Sequence, residues 1–206
     1  MFIVTLCISL ALLGHSLNGF GQKDSLKYEI SAGWINLGIM NLKWDQQNDT
    51  LKVVAISQVE IPLLFTKRRM RYKTDLTVIS GVLESSIVNV WVNEELKEYC
   101  YTKKEGNTYR VHKKTEDENE VVSLINKAAI RLTTTLLLFN KPNSNEEVYA
   151  ELHANLGKIS KLEEKKFVLI NSETGKETEY FYENDILKSS VMSNRIMDFE
   201  LNRMQP

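Results

Sequence analysis

Apolar and polar residues alternate along most of this chain with a period of two. That spacing sets one face of a β-strand on a core and leaves the other in water. Leu26, Tyr28 and Ile30 share a face against Lys27 and Glu29, and Met40, Leu42 and Trp44 share one against Asn41 and Lys43. Gly33 and Gly38 interrupt the stretch between them, as glycines do at a bend or bulge. Val53, Ala55, Ser57, Val59 and Ile61 form the next set, which Pro62 stops. The clearest pattern runs from Arg69 to Val78. Met70, Tyr72, Thr74, Leu76 and Val78 point one way, and Arg69, Arg71, Lys73, Asp75 and Thr77 point the other. Such a strand belongs to an antiparallel sheet with one wet face.

Turn chemistry divides these runs into hairpins. Gln46–Asp49, Ser80-Gly81, Asn93-Glu94-Glu95, Glu105-Gly106-Asn107, Asn171–Lys176 and Glu183-Asn184-Asp185 separate strand candidates over 83–92, 97–103, 108–113, 148–152, 158–162, 166–170, 177–182 and 186–193. Met197, Phe199 and Leu201 mark a last strand, and Glu116–Glu120 reads as an exposed acidic connection. One region breaks the alternation. From Ser123 the apolar positions Leu124, Ala128, Ala129 and Leu132 fall at a wider spacing. Thr133 to Phe139 then predicts a short helix that stops at Asn140-Lys141-Pro142, although three threonines also suit a buried strand. About a dozen short strands with tight turns and one short helix predict an all-β fold: a strongly curved antiparallel sheet or incomplete barrel.

The first 21 residues contain no Lys, Arg, Asp or Glu, and Phe2–Leu13 is a short apolar run. Gly19 and Gly21 place small residues at the minus three and minus one positions of a signal peptidase site, so residues 1–21 read as a signal peptide and 22–206 as one β domain. The run is too short for a comfortable membrane span, and its lack of a basic residue departs from the usual leader. The expected location is periplasmic or secreted, with no transmembrane segment after cleavage. Strands this short, with short turns at both ends, do not suit a membrane barrel. Cys7 goes with the leader and Cys100 remains alone, so no internal disulfide is available.

Lys+Arg of 26 against Asp+Glu of 27 leaves a net charge of −1, which removes any general attraction to nucleic acid. No phosphate loop, dinucleotide fingerprint, nucleophile elbow or zinc-protease motif occurs, and His112 and His153 have no second histidine at ligand spacing. Ser85-Ser86 and Ser189-Ser190 lack an adjacent base, and the clusters Glu116-Asp117-Glu118 and Glu163-Glu164 read as solvated turns. No catalytic residue, cofactor or metal ligand is assigned. The densest charge feature is Lys67, Arg68, Arg69, Arg71 and Lys73, which reads first as a charge-guarded strand face and otherwise suits an anionic partner such as a lipid head group. Trp34, Trp44, Tyr72 and Trp91 are candidates to line an apolar cavity, or simply to fill a β core.

Leu26-Lys-Tyr-Glu-Ile30 with Gly33 and Gly38, Ser85-Ser86 after Gly81, and Leu136-Leu-Leu-Phe-Asn-Lys-Pro142 with Glu151, Gly157 and Ile159 resemble an uncharacterised family of exported Gram-negative proteins, as do Thr174-Gly175-Lys176, Tyr180-Phe-Tyr182 and Ile186-Leu187. That family is a domain of unknown function. The resemblance implies export and a β-rich fold, and it brings no catalytic residues. Together these features point to an exported, non-catalytic envelope protein that binds a lipid or another hydrophobic molecule on a curved sheet. A structural or protein-interaction module, or a hydrolase whose acids converge only in the fold, are the alternatives.

Overall fold

Among the described residues, fourteen strands fold into a single antiparallel sheet. The computed structural model describes residues 22–62, 66–172, 174–193 and 198–205. The expected leader, residues 1–21 with Cys7, and Met197 lie outside the described residues. Strands β1 (Gln22–Ala32), β2 (Ile35–Gln47), β3 (Thr50–Pro62), β4 (Lys67–Ile79), β5 (Val82–Val92), β6 (Glu95–Glu105), β7 (Thr108–Lys114) and β8 (Val121–Ile125) form one meander. Strands β9 (Glu147–Ala150), β10 (Asn155–Lys161), β11 (Lys166–Asn171), β12 (Glu177–Glu183), β13 (Ile186–Met192) and β14 (Phe199–Arg203) form a second, and β14 pairs with β1 to join the two. The order runs from β8 through β1 and β14 to β9, so the sheet ends on β8 and β9 without closing into a barrel.

Tight turns hold this meander in register. Ser80-Gly81, Asn93-Glu94 and Asn184-Asp185 all have positive φ at both central positions, the conformation whose twist matches that of the flanking strands. Gly38 serves a different purpose: a Cβ there would lie 1.9 Å from the Gln58 carbonyl oxygen, so only glycine lets β2 and β3 approach so closely.

The inner face is filled by the chain itself. Tyr28, Leu42, Val53, Leu76, Leu83, Tyr109, Tyr149, Ile159, Phe167, Tyr180, Tyr182 and Leu187 are buried in one cluster, and Leu136, Leu137 and Leu138 lie among them. The segment that crosses from β8 to β9 supplies these leucines. The Leu83 N–H donates to the Ile130 carbonyl (2.8 Å), and the Ile130 N–H donates to the Tyr109 hydroxyl oxygen (2.9 Å). Thr133 then bridges Tyr149 in parallel, with the Tyr149 N–H donating to Leu132 and the Thr134 N–H to Tyr149.

Two expectations change here. The helix over 133–139 is only a 3-10 turn, Leu136–Leu138, because Thr133 is tied to β9 and the chain has room for one turn inside the sheet. The stretch from Ser123 begins as the last residues of a strand, β8, and not as a helix.

Candidate functional site: an outer-face groove

A groove of about 650 Å³ lies at the end of the sheet where β2 and β4 begin and β3 and β5 finish. It is lined on the apolar side by Ile35, Leu37, Ile39, Met70 and Trp91, and on the polar side by Gln58, Glu60, Lys67, Arg69, Arg71 and Glu94. Register explains the set. Ile39 sits opposite Gln58, Gln58 opposite Arg71, and Arg71 opposite Trp91, so four strands contribute one transverse row. This row lies on the face away from the core, since Val90 and Val92 beside Trp91 point inward.

A bulge creates the central contact. A two-residue turn at Ser80-Gly81 would by itself place Arg71 opposite Val90. The register shift between Thr77 and Val78 moves the pairing on by one residue, so that Arg71 meets Trp91 instead. The Arg71 guanidinium lies 3.9 Å from the Trp91 ring centroid, a cation–π distance.

The basic run is otherwise neutralised. Lys67 pairs with Glu60 at 3.0 Å, and Arg69 pairs with the same carboxylate at 3.4 Å. Arg68 meets Glu116 at 3.5 Å, and Lys73 meets Asp75 at 2.8 Å. The hydrogen bond from Lys67, reinforced by its charge, holds the Glu60 carboxyl below the usual carboxylate range. Arg71 is the member of the run without a carboxylate partner among the described residues.

The aromatic candidates separate. Trp34 is 94% exposed at the tip between β1 and β2, so it lines no cavity. Trp44 faces inward and stacks on Phe139, with centroids 4.6 Å apart and planes 6° apart, so the crossing segment occupies the space it would have lined. Tyr72 is half-buried on the inner face opposite Ser57 and Val90, where burial, with Glu98 nearby, pushes its hydroxyl pKa up. Only Trp91 reaches the groove, on the opposite face from Trp44 and Tyr72.

Other chemistry is dispersed. Burial pushes the Cys100 thiol up, which disfavours the reactive thiolate. The His112 ring lies 3.1 Å from Glu120. Among the described residues, no three His, Cys, Asp or Glu side chains gather as metal ligands, and no helix is long and apolar enough to cross a membrane. Periodicity gave no sign of Glu151. It is 2% exposed and accepts hydrogen bonds from the Thr134 N–H (3.1 Å), the Thr134 hydroxyl and the Thr135 N–H (3.0 Å). It ties the crossing segment to the end of β9.

Residues 28–204 match the family model described as Domain of unknown function (DUF6134). The chain belongs to this family. Among curated proteins, none matches it. A solved structure similar to this DUF6134 chain is the beta-barrel-like protein of domain of unknown function DUF1849 from Brucella abortus. That likeness has a TM-score of 0.58 at 10% identity, over 90% of this chain and 97% of the other. At that identity the likeness concerns the fold alone. The DUF6134 domain therefore has a barrel-like antiparallel sheet, and its groove must be read from its own residues.

Proposed function

We propose that this DUF6134 protein is an exported, non-catalytic envelope protein that binds a single anionic amphiphile in the groove on its outer face. One observation carries the reading: Arg71, with no carboxylate partner among the described residues, lies on Trp91 in one transverse row with Ile39. A guanidinium held by an aromatic ring keeps its outward N–H groups for a phosphate or carboxylate, and the apolar side of the groove takes an alkyl chain. The volume suits one small ligand. The inner face is a poor alternative, because Leu136–Leu138 and the buried tyrosines already fill it. The uncharged apolar leader supports export to the periplasm or beyond.

Calorimetric titration with dodecyl phosphate, kept below its micelle concentration, tests the groove. Saturable one-to-one binding is expected, with dodecanol binding far more weakly. Arg71→Ala removes a charge-assisted hydrogen bond and should weaken binding by about 1.5–3 kcal/mol, roughly tenfold or more. Equal affinity of wild type and variant would rule the groove out. Mass spectrometry of protein recovered from the periplasm tests export, with a mass beginning at Gln22 expected.

A further inference from the structure

The two ends of the sheet are treated differently. At β9 the edge is covered: Leu132 and Thr134 exchange backbone hydrogen bonds with Tyr149, and Thr133 forms the bridge. At β8 it is bare. The strand pairs with β7 alone, and no backbone group of Val121–Leu124 bonds elsewhere among the described residues. Its apolar side chains stand in water, with Val121 54%, Val122 51% and Leu124 57% exposed. Natural sheets guard such an edge with lysine, proline or a bulge, and Val121–Ile125 contains none of these.

We infer that β8 is a self-association edge, on which a second copy of this chain pairs antiparallel about a two-fold axis at Ser123. This contact is independent of the groove. A two-fold perpendicular to the sheet sets residues of the same face opposite one another. Centred on Ser123, it places Val122 opposite Leu124 and Val121 opposite Ile125, so apolar residues meet apolar residues on both faces. Charge selects the orientation. The strand is preceded by the acidic Glu116–Glu120 and followed by Asn126 and Lys127, whose ammonium pairs with Glu147 of its own copy. Parallel pairing would set one acidic stretch beside the other, whereas antiparallel pairing sets it beside Asn126 and Lys127 and avoids that repulsion. An edge of five residues buries less than the roughly 1,000 Å² of a stable interface, so association is weak and depends on concentration.

Sedimentation equilibrium across a dilution series, combined with cross-linking, tests this. The mass of the wild-type protein should rise with concentration toward twice the monomer value, and V122K/L124K should hold it at the monomer. Both positions are exposed, so the fold should survive, which circular dichroism checks. In the S123C variant the new thiol faces its own copy across the axis, and mild oxidation should give a disulfide-linked dimer. The same change at the distant exposed turn, E163C, should give none beyond background. Cys100 is buried and does not contribute. A wild-type protein that stays monomeric, a dimer that survives V122K/L124K, or an S123C variant that cross-links no faster than E163C overturns the inference.

Discussion

A single carboxyl group fixes the path of the crossing segment. Glu151 lies just past the end of β9, and its carboxylate accepts from the Thr135 N–H, which has no carbonyl partner, and shares the Thr134 N–H with the Tyr149 carbonyl. Its role depends on donors 16 and 17 residues upstream, so neither its own spacing nor its neighbours in sequence reveal it. Read by alternation alone, Glu151 is one more charged residue near a turn. Truncation to alanine would strand the Thr135 amide, while the Thr134 amide keeps the Tyr149 carbonyl. The cost is about 1–3 kcal/mol for one buried unsatisfied group, so Glu151→Ala should lose roughly 1–3 kcal/mol of stability. Glu151→Gln keeps an acceptor oxygen and should lose less. Urea unfolding of the three proteins measures this, and equal midpoints would remove Glu151 from the account. The Arg71–Trp91 contact was half-legible. Both residues stood out as candidates, one for its charge and one for its ring, but they appeared in different groups. Their meeting depends on a bulge near Val78 that no residue type announces.

At the scale of elements, strands with one wet face could be read directly, because burial of one side imposes the alternation. Strands β4, β12 and β13 lie within a few residues of where the pattern sets them. Where both sides of the chain meet the same surroundings, the signal disappears. Leu136–Leu138 is buried on every side, so three successive leucines have no polar face to give a period, and a helix and a buried turn look alike. Strand β8 is the opposite case: Val121, Val122 and Leu124 are exposed on both faces, and alternation vanishes there too. The buried turn acts as a plug. The Tyr28 hydroxyl donates to the Leu138 carbonyl (2.7 Å) and the Tyr182 hydroxyl to the Leu137 carbonyl (2.8 Å), so the sheet grips the turn by its backbone while the leucine side chains fill the centre. Leu137 is wholly buried, and Leu137→Ala should cost about 2–5 kcal/mol, the range for a large core side chain cut back to alanine. Thermal melts against an exposed control such as Leu162→Ala check this. If the two variants melt together, the turn is not part of the core.

Over the whole molecule, the interior of this sheet is lined with hydroxyl groups, and that sets how it responds to alkali. Tyr28, Tyr149, Tyr180 and Tyr182 all belong to the one buried cluster. Burial pushes each of their pKa values far above the ordinary phenol value, and neighbouring charges change this only in detail. A phenol raised in the folded state keeps its proton where the unfolded chain has lost it. Above about pH 10, therefore, unfolding releases protons, and stability falls as pH rises toward the folded-state values. Below that pH both states are protonated and these groups add no pH dependence. Each tyrosine contributes a slope of about 1.4 kcal/mol per pH unit. Four acting together give roughly 5–6 kcal/mol per unit, enough to exhaust the ~5–15 kcal/mol of an ordinary domain within one to three units. The protein should therefore unfold cooperatively between about pH 11 and 13. A steep rise in tyrosinate absorbance should coincide with the loss of β-sheet circular dichroism. Tyr182→Phe deletes one titrating group along with its bond to Leu137, so the variant should start less stable at neutral pH yet lose stability less steeply above pH 10. A steep tyrosinate phase well before the dichroism change would mean that solvent reaches these rings in the folded sheet, and the crossing segment could then no longer be regarded as sealing it.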